Sequence, residues 1–473
     1  MSTATPRRAA GRTQNLDDWY PPVLDASRRR LAPLADRGDV APREVAELVA
    51  DDPLLALGVI RRANAVEHRH FSSPIHTLEP AVMMLGVGGV QRLAQQATAI
   101  DESLPEPMRA PALRALARGA LAGRLARVLA TARQDADPEE VVLAAVLHRL
   151  GEMLLWAKGD RRMLGLRGAI AQRGVAPHEA EFVILGQGVE EIGYSLAERW
   201  RLPPLVTDCI PGRNARYARA LTVMLSAQLS RHMVLGWQDA RLLDHLALAC
   251  ELMETSQEDM IDTLNVLIDD FNPLADGYGL APLTALTAER VSELEATPAP
   301  PYRQFFCLAP RRDFMQAALR RLQVAADEDA VLAATLDAAH NGLGLNRVLF
   351  ARADAERGEI GVVAAAGTGY EPAFNRLRLP YQGDDLVGLL MRKPTLFWLS
   401  DGNRDAAWPR VPEPLKALLD DAPAFLMASV FVRGQPFGLI YADRRSATCG
   451  LGRSAHDGLA RLVQLMTARL EAV

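Results

Sequence analysis

Residues 144–153 read AAVLHRLGEM. One histidine, His148, stands in an apolar run of helical spacing, and the residue after it is Arg149 where a carboxylate would make a metal-binding pair. Ala144, Gly151 and Leu155 lie at offsets of −4, +3 and +7 from His148, so its imidazole is expected to face an apolar surface. A packed neutral histidine with one ring nitrogen hydrogen-bonded satisfies such a position. Arg149 cannot ligate, because its guanidinium stays protonated and offers only donors.

The helical pattern extends in both directions, over residues 16–271. Apolar residues recur every three or four positions, and strand-like alternation is absent. Asp52-Pro53 predicts an N-cap with proline in the first turn ahead of LLALGVIRRANA, and Asp137-Pro138 does the same ahead of VVLAAVLHRLGEMLLW. Thr77 is a candidate cap for LEPAVMML, which Gly86 should end. Residues 1–15 have the composition of a disordered tail. Residues 272–312 change character, with Asn272-Pro273, Gly277, Gly279 and TPAPPYRQ at 297–304, and are expected to form a Pro-rich linker with one short helix.

From 313 to 473 two helical stretches lead into strand-like runs: NRVLFARAD, EIGVVAAAG, PTLFWLS, AFLMASVFVRG and PFGLIYADRR. The last two predict a hairpin turning at Arg433-Gly434-Gln435. A closing helix, GLARLVQLMTARLEAV, follows. The expected architecture is multidomain: an all-α helical bundle, then an α+β domain with an antiparallel sheet flanked by helices.

Composition sets bounds on function. The 473 residues are 49% apolar and 23% charged, with a formal net charge of −5, so no global basic field exists for nucleic acid or an anionic membrane. Cys209, Cys250, Cys307 and Cys449 are scattered without CxxC spacing, which predicts neither a zinc site nor a disulfide framework. No window has the apolar length of a membrane span, and a cytoplasmic location is the expectation. Arg7, Arg8, Arg12 and Arg28-Arg29-Arg30 form a local basic cluster, but interleaved aromatics are lacking, so a solvated face outweighs a nucleic-acid footprint.

Three stretches of the helical half together resemble the HDOD domain, a bacterial relative of the HD and HD-GYP phosphohydrolases. They are ELVADDPLLALGVIRRANA with FSSPIHTLEPAVMMLGVGGVQRLAQQA, then AAVLHRLGEMLLW, then EFVILGQGVEEIGYSLAERWRLPPLV, spanning roughly residues 20 to 215. The C-terminal half resembles a GAF domain through its strand order, RLRLPYQGDDLVGLLMRKPTLFWLSD and SVFVRGQPFGLIYADR. The resemblance implies a bacterial signal-transduction protein with protein partners in its pathway. Its GAF-like half would either bind a small molecule or make a homodimer contact.

An HD-type hydrolase needs several His and Asp ligands around one or two metals. Position by position they are missing here. Arg149 replaces the carboxylate after His148, and Arg118 and Gly119 stand at the place of an early histidine. Val189 stands at another, and Pro211-Gly212-Arg213-Asn214 occupies the place of paired histidines. The other histidines (His68, His70, His76, His178, His232, His245, His340 and His456) contain no HxxxH pair. GxSxG is absent, and LGVGGVQR lacks the lysine and hydroxyl of a phosphate loop. No catalytic residue, metal or cofactor is therefore expected, and His148 is a lone remnant. The alternative is a divergent metal-dependent phosphohydrolase or cyclic-dinucleotide phosphodiesterase using His148, Glu152 and Glu190. In the GAF-like half, Arg352, Tyr370, Trp398 and Ser400 are the candidate ligand-lining residues. No cysteine is placed for a bilin, and the asparagine-lysine-phenylalanine signature of cyclic-nucleotide GAF domains is absent.

Overall fold

The computed structural model describes residues 19–473 apart from 35–36, 38, 66–73, 173–174, 176, 211–213, 215–216, 240, 297–307, 309, 369–371, 420–423 and 445–449. The expected tail at 1–15, the TPAPPYRQ stretch and Pro211-Gly212-Arg213 lie outside the described residues.

The first half is helical. It begins with α1 (Asp25–Leu31), α2 (Pro42–Ala50), α3 (Pro53–Asn64), α4 (Leu78–Leu85), α5 (Val87–Gln96) and α6 (Ile100–Ser103). The long α7 (Glu106–Ala132) runs through the centre, against α8 (Pro138–Leu147) and α9 (Leu150–Ala157). Then come α10 (Arg162–Ala171), α11 (Pro177–Leu185), α12 (Val189–Arg199), α13 (Pro204–Cys209), α14 (Ala218–Val234), α15 (Leu242–Met253), α16 (Gln257–Ala275) and α17 (Ala288–Ala296). The expected caps at Asp52 and Asp137 are made: Asp52 accepts from the Leu54 and Leu55 amides, and Asp137 from those of Glu139 and Glu140. Thr77 occupies its cap position without a side-chain hydrogen bond.

Two expectations need correction. The run VVLAAVLHRLGEMLLW is two helices, broken at His148-Arg149. The break lets α9 press onto α12, where a Cβ on Gly151 would sit 2.2 Å from the Val189 carbonyl oxygen, a space only glycine leaves open. The segment from 272 is also no linker at its start. Helix α16 continues through Pro273 to Ala275, forgoing the bond that an amide at 273 would donate to the Asp269 carbonyl. Asn272 and Asn265 then tie down Leu283 and Leu286, and the Tyr278 hydroxyl donates to the Asp51 carbonyl. One apolar core runs from Val23 to Leu294.

The second half opens with α18 (Arg312–Val324) and α19 (Glu328–Asp337). The strands are β1 (Arg347–Asp354), β2 (Glu359–Ala366), β3 (Arg378–Pro380), β4 (Leu396–Leu399), β5 (Phe425–Val432) and β6 (Gln435–Asp443). Short helices α20 (Pro372–Asn375), α21 (Leu386–Leu390), α22 (Arg404–Ala407) and α23 (Glu413–Lys416) lie between them, and α24 (Arg453–Leu470) closes the chain. The sheet is antiparallel in the order β3-β2-β1-β6-β5-β4. The hairpin turns on Arg433-Gly434 alone, both at positive φ, and Gln435 pairs with Val432. Strand alternation splits the packing. Val348 and Phe350 face α18, α19 and α24, whereas Leu349 and Ala351 face the short helices.

Candidate functional site

The end of α8, the start of α9, and one side each of α7, α12 and α13 converge on His148. Its ring is buried and hydrogen-bonds the Cys209 backbone, while Nδ1 has no partner. Burial first, and then the Arg149 charge, hold its pKa down at about 3, so the imidazole is neutral near pH 7. One ring nitrogen bonded to backbone among packed neighbours is the setting that the spacing leads one to expect.

The two arginines at ligand positions share one carboxylate. Arg118 from α7 donates to Glu152 Oε1 at 2.5 Å, and Arg149 Nε donates to Oε2 at 3.3 Å. Burial opposes ionisation of Glu152, but the two guanidiniums outweigh it and bring the pKa to about 2. This Arg–Glu–Arg group occupies the neighbourhood where a hydrolase of this scaffold would gather its metal ligands. Two permanent cations beside the one carboxylate repel a divalent ion and engage both of its oxygens. The residues therefore do not fit a metal.

Beside His148 lies a cavity of about 20 Å³, lined by Arg149, Val189, Glu190, Gln228 and, from the second half, Asn375. That is room for about one water molecule. His148 and Glu190 both line it, and Glu152 lies behind Arg149, which also lines it. Among the described residues no three His, Cys, Asp or Glu side chains are grouped to hold a metal ion.

A second buried pair went unread in the sequence. His232 on α14 and His245 on α15 share a 2.9 Å contact between Nε2 and Nδ1. Burial, the partner ring and nearby arginines hold His232 well below the usual range, and burial and Arg231 do the same for His245. For each of the three histidines the folded state favours the neutral form. Their stabilisation is thus complete above the unfolded value of 6.5 and is lost as pH falls below it. Each should steepen the loss by about 1.4 kcal/mol per pH unit. Urea midpoints at about pH 7.5 and about pH 5.5 should differ accordingly, and His232→Gln should flatten that difference. Equal midpoints would refute the neutral assignment.

In the second half the described candidates, Arg352, Trp398 and Ser400, are each engaged by neighbouring side chains. Arg352 lies on the helix-covered face, paired to Glu328 of α19 at 2.5 Å and stacked 5.0 Å from the Phe437 ring centroid. Trp398 packs on that same face, its ring 5.9 Å from the His456 ring. The Ser400 amide donates to Asn403 Oδ1 in the turn after β4. Tyr370 lies outside the described residues. The physical reason is the period of two along a strand, which sends Arg352 away from Leu349 and Ala351. Among the described residues, the face where a ligand could lodge holds a cavity of about 10 Å³ with an apolar lining, including Leu349, Met427 and Leu439. At its edge sits a group that the sequence reading missed. Arg347 Nε and Nη2 donate to Asp443 at 2.9 and 2.5 Å, and the Tyr441 hydroxyl donates to the same oxygen. The pairing spans 96 residues, beyond any local pattern. Among the basic cluster, Arg29 pairs with Asp25 and Arg30 with Asp51. Arg7, Arg8 and Arg12 lie outside the described residues.

Residues 22–215 match the HDOD domain model. A protein of Treponema pallidum (strain Nichols) whose function is uncharacterised is 24% identical over 212 residues, which is 44% of this chain and 40% of that relative. The chain thus spans well under half the length of the relative it matches. Among solved structures, the MmoQ response regulator from Methylococcus capsulatus str. Bath is 18% identical and covers 50% of this chain and 95% of its own, with a TM-score of 0.40. A GAF domain/HD domain protein from Geobacter sulfurreducens is 18% identical over 32% of this chain and 97% of its own, with a TM-score of 0.28. A virulence factor from Campylobacter jejuni subsp. jejuni is 17% identical over 59% and 94%, with a TM-score of 0.40. Residues 22–215 are an HDOD domain, and a GAF-like α+β unit follows it in the same chain.

Proposed function

We propose that this chain is a non-catalytic signal-transduction protein of the bacterial cytoplasm. Its HDOD domain is the protein-interaction or output surface, and its GAF-like unit is the sensory or dimerising partner. The Arg118–Glu152–Arg149 group carries the reading, because it puts fixed cations where the related hydrolases need ligands. The small apolar space in the GAF-like unit favours contact-making, such as a homodimer, over ligand sensing. Among the described residues no helix is long and apolar enough to cross a membrane. The alternative, a divergent phosphohydrolase or cyclic-dinucleotide phosphodiesterase, draws on the shared lining of His148 and Glu190 alone.

The test is turnover of bis(p-nitrophenyl) phosphate and of a cyclic dinucleotide by the full chain with added Mn²⁺. The expected result is the rate of buffer with Mn²⁺. Turnover that disappears in His148→Ala would make the protein an enzyme and overturn the proposal.

A further inference from the structure

The third HDOD stretch, α11 and α12, is covered by the GAF-like unit, and the cover is selective. Phe182 of α11 meets the rings of Phe314 and His340 at 6.5 and 6.2 Å between centroids. The Arg311 guanidinium lies 4.0 Å from the Phe314 centroid and 6.0 Å from that of Phe182. Glu191 of α12 hydrogen-bonds the Asn341 side chain and lies in the field of Arg321. Glu179, fully buried on α11, accepts from the Asn346 side-chain amide. At the rim Arg376 pairs with Glu251 at 3.1 Å. On the HDOD side the pattern is acid, aromatic, acid; on the other it is arginine, aromatic, arginine and amide.

Arg311, Phe314 and Arg321 are spaced i, i+3 and i+10, so they form one stripe along α18 and its N-cap. The adjoining face of that helix, with Ala318 and Leu322, packs into the GAF-like core. Beside the contact is an open cleft of about 590 Å³, lined by Asp208, Tyr217, Asp329, Leu332 and Val363 from the two halves. The two halves therefore meet around Phe182 and again at Asn375 and Arg376, and part at this cleft.

We propose that the α11–α12 face of the HDOD domain is a docking surface for a basic amphipathic helix carrying an aromatic residue, and that α18 holds it in cis. A partner helix with arginines flanking an aromatic at the same spacing competes with α18 for Phe182 and Glu191. Its apparent affinity is lowered by the fraction of chains in which α18 is seated. The inference rests on the proposed reading of the HDOD domain as an interaction surface, and it names the site and the partner chemistry.

The test uses a fluorescein-labelled peptide of residues 310–324, PRRDFMQAALRRLQV, titrated into the full chain at fixed salt. The double variant Arg311→Glu/Phe314→Ala unseats α18 and leaves α11–α12 intact. It should bind the peptide roughly ten-fold tighter than the wild type, and adding Phe182→Ala should remove the gain. Equal affinity in wild type and double variant, or a gain that survives Phe182→Ala, overturns the inference. Should the double variant fail to fold, Glu191→Lys, a change at an exposed residue, must weaken peptide binding by the wild-type chain. Unchanged binding there also overturns it. Loss of the docking result with no Mn²⁺-dependent turnover removes this inference alone, whereas turnover removes the functional reading beneath it.

Discussion

Glu152→Ala is expected to destabilise the helical half by about 3 kcal/mol. The carboxylate is only 14% exposed, and it is where Arg118 and Arg149 meet. Removing it takes away the carboxylate that the two guanidiniums share, the costly way to break a buried ion group. The two arginines keep 22% and 28% exposure, which places the expected loss at the lower end of the range for buried pairs. The effect also has a pH signature. The Glu152 carboxyl falls from 4.5 to about 2 on folding, so its stabilisation is complete above pH 4.5 and is lost as pH falls toward 2. Urea unfolding should show the variant weakened at neutral pH and converging on the wild type in acid. A variant as stable as the wild type at pH 7 would mean the group carries no structural charge.

Asp443→Ala should cost the GAF-like unit about 3–5 kcal/mol. Here both partners are inaccessible, Arg347 at 1% and Asp443 at 0%, and the arginine lies against the Phe374 ring. Truncation would take from the buried guanidinium its counter-charge and both of its bonds to that carboxylate, and from the Tyr441 hydroxyl its acceptor there. Replacing both charges, as Arg347→Met/Asp443→Leu, should restore most of the loss, because desolvation of the pair is removed together with its attraction. Hydrogen exchange of the β1, β5 and β6 amides reads this directly. Faster exchange in the single variant and recovery in the double is the expected pattern, and equal exchange in all three chains would refute it.

Much of the architecture was legible from local chemistry. The aspartate–proline caps at Asp52 and Asp137, the apolar period of the helices, and the strand pair around Arg433-Gly434 are short-range signals, and they agree with the structure. The packed setting of His148 was legible too, from its apolar neighbours. Long-range packing was not. The break at His148-Arg149 exists because Gly151 lets α9 reach α12, which no spacing within α9 announces. The three-residue β3 is too short to show alternation. The segment after Asn272 has the composition of a linker, yet Asn265 and Asn272 of α16 hold its Leu286 and Leu283, and its Tyr278 bonds back to the helical core. Arg352 is different: counting alternate residues from Leu349 would have placed it on the helix-covered face.

The candidate site was legible as a set of missing ligands and illegible as an arrangement. The sequence shows arginine at 118 and 149, but only the fold shows that both meet Glu152.

Equilibrium Mn²⁺ binding by the full chain, followed by titration calorimetry near pH 7.5, tests that centre most directly. Arg118 and Arg149 on Glu152, with one neutral imidazole beside a space of about 20 Å³, predict no saturable binding. One or two equivalents bound, and lost in His148→Ala, would contradict the account and return the chain to the metal-dependent hydrolases.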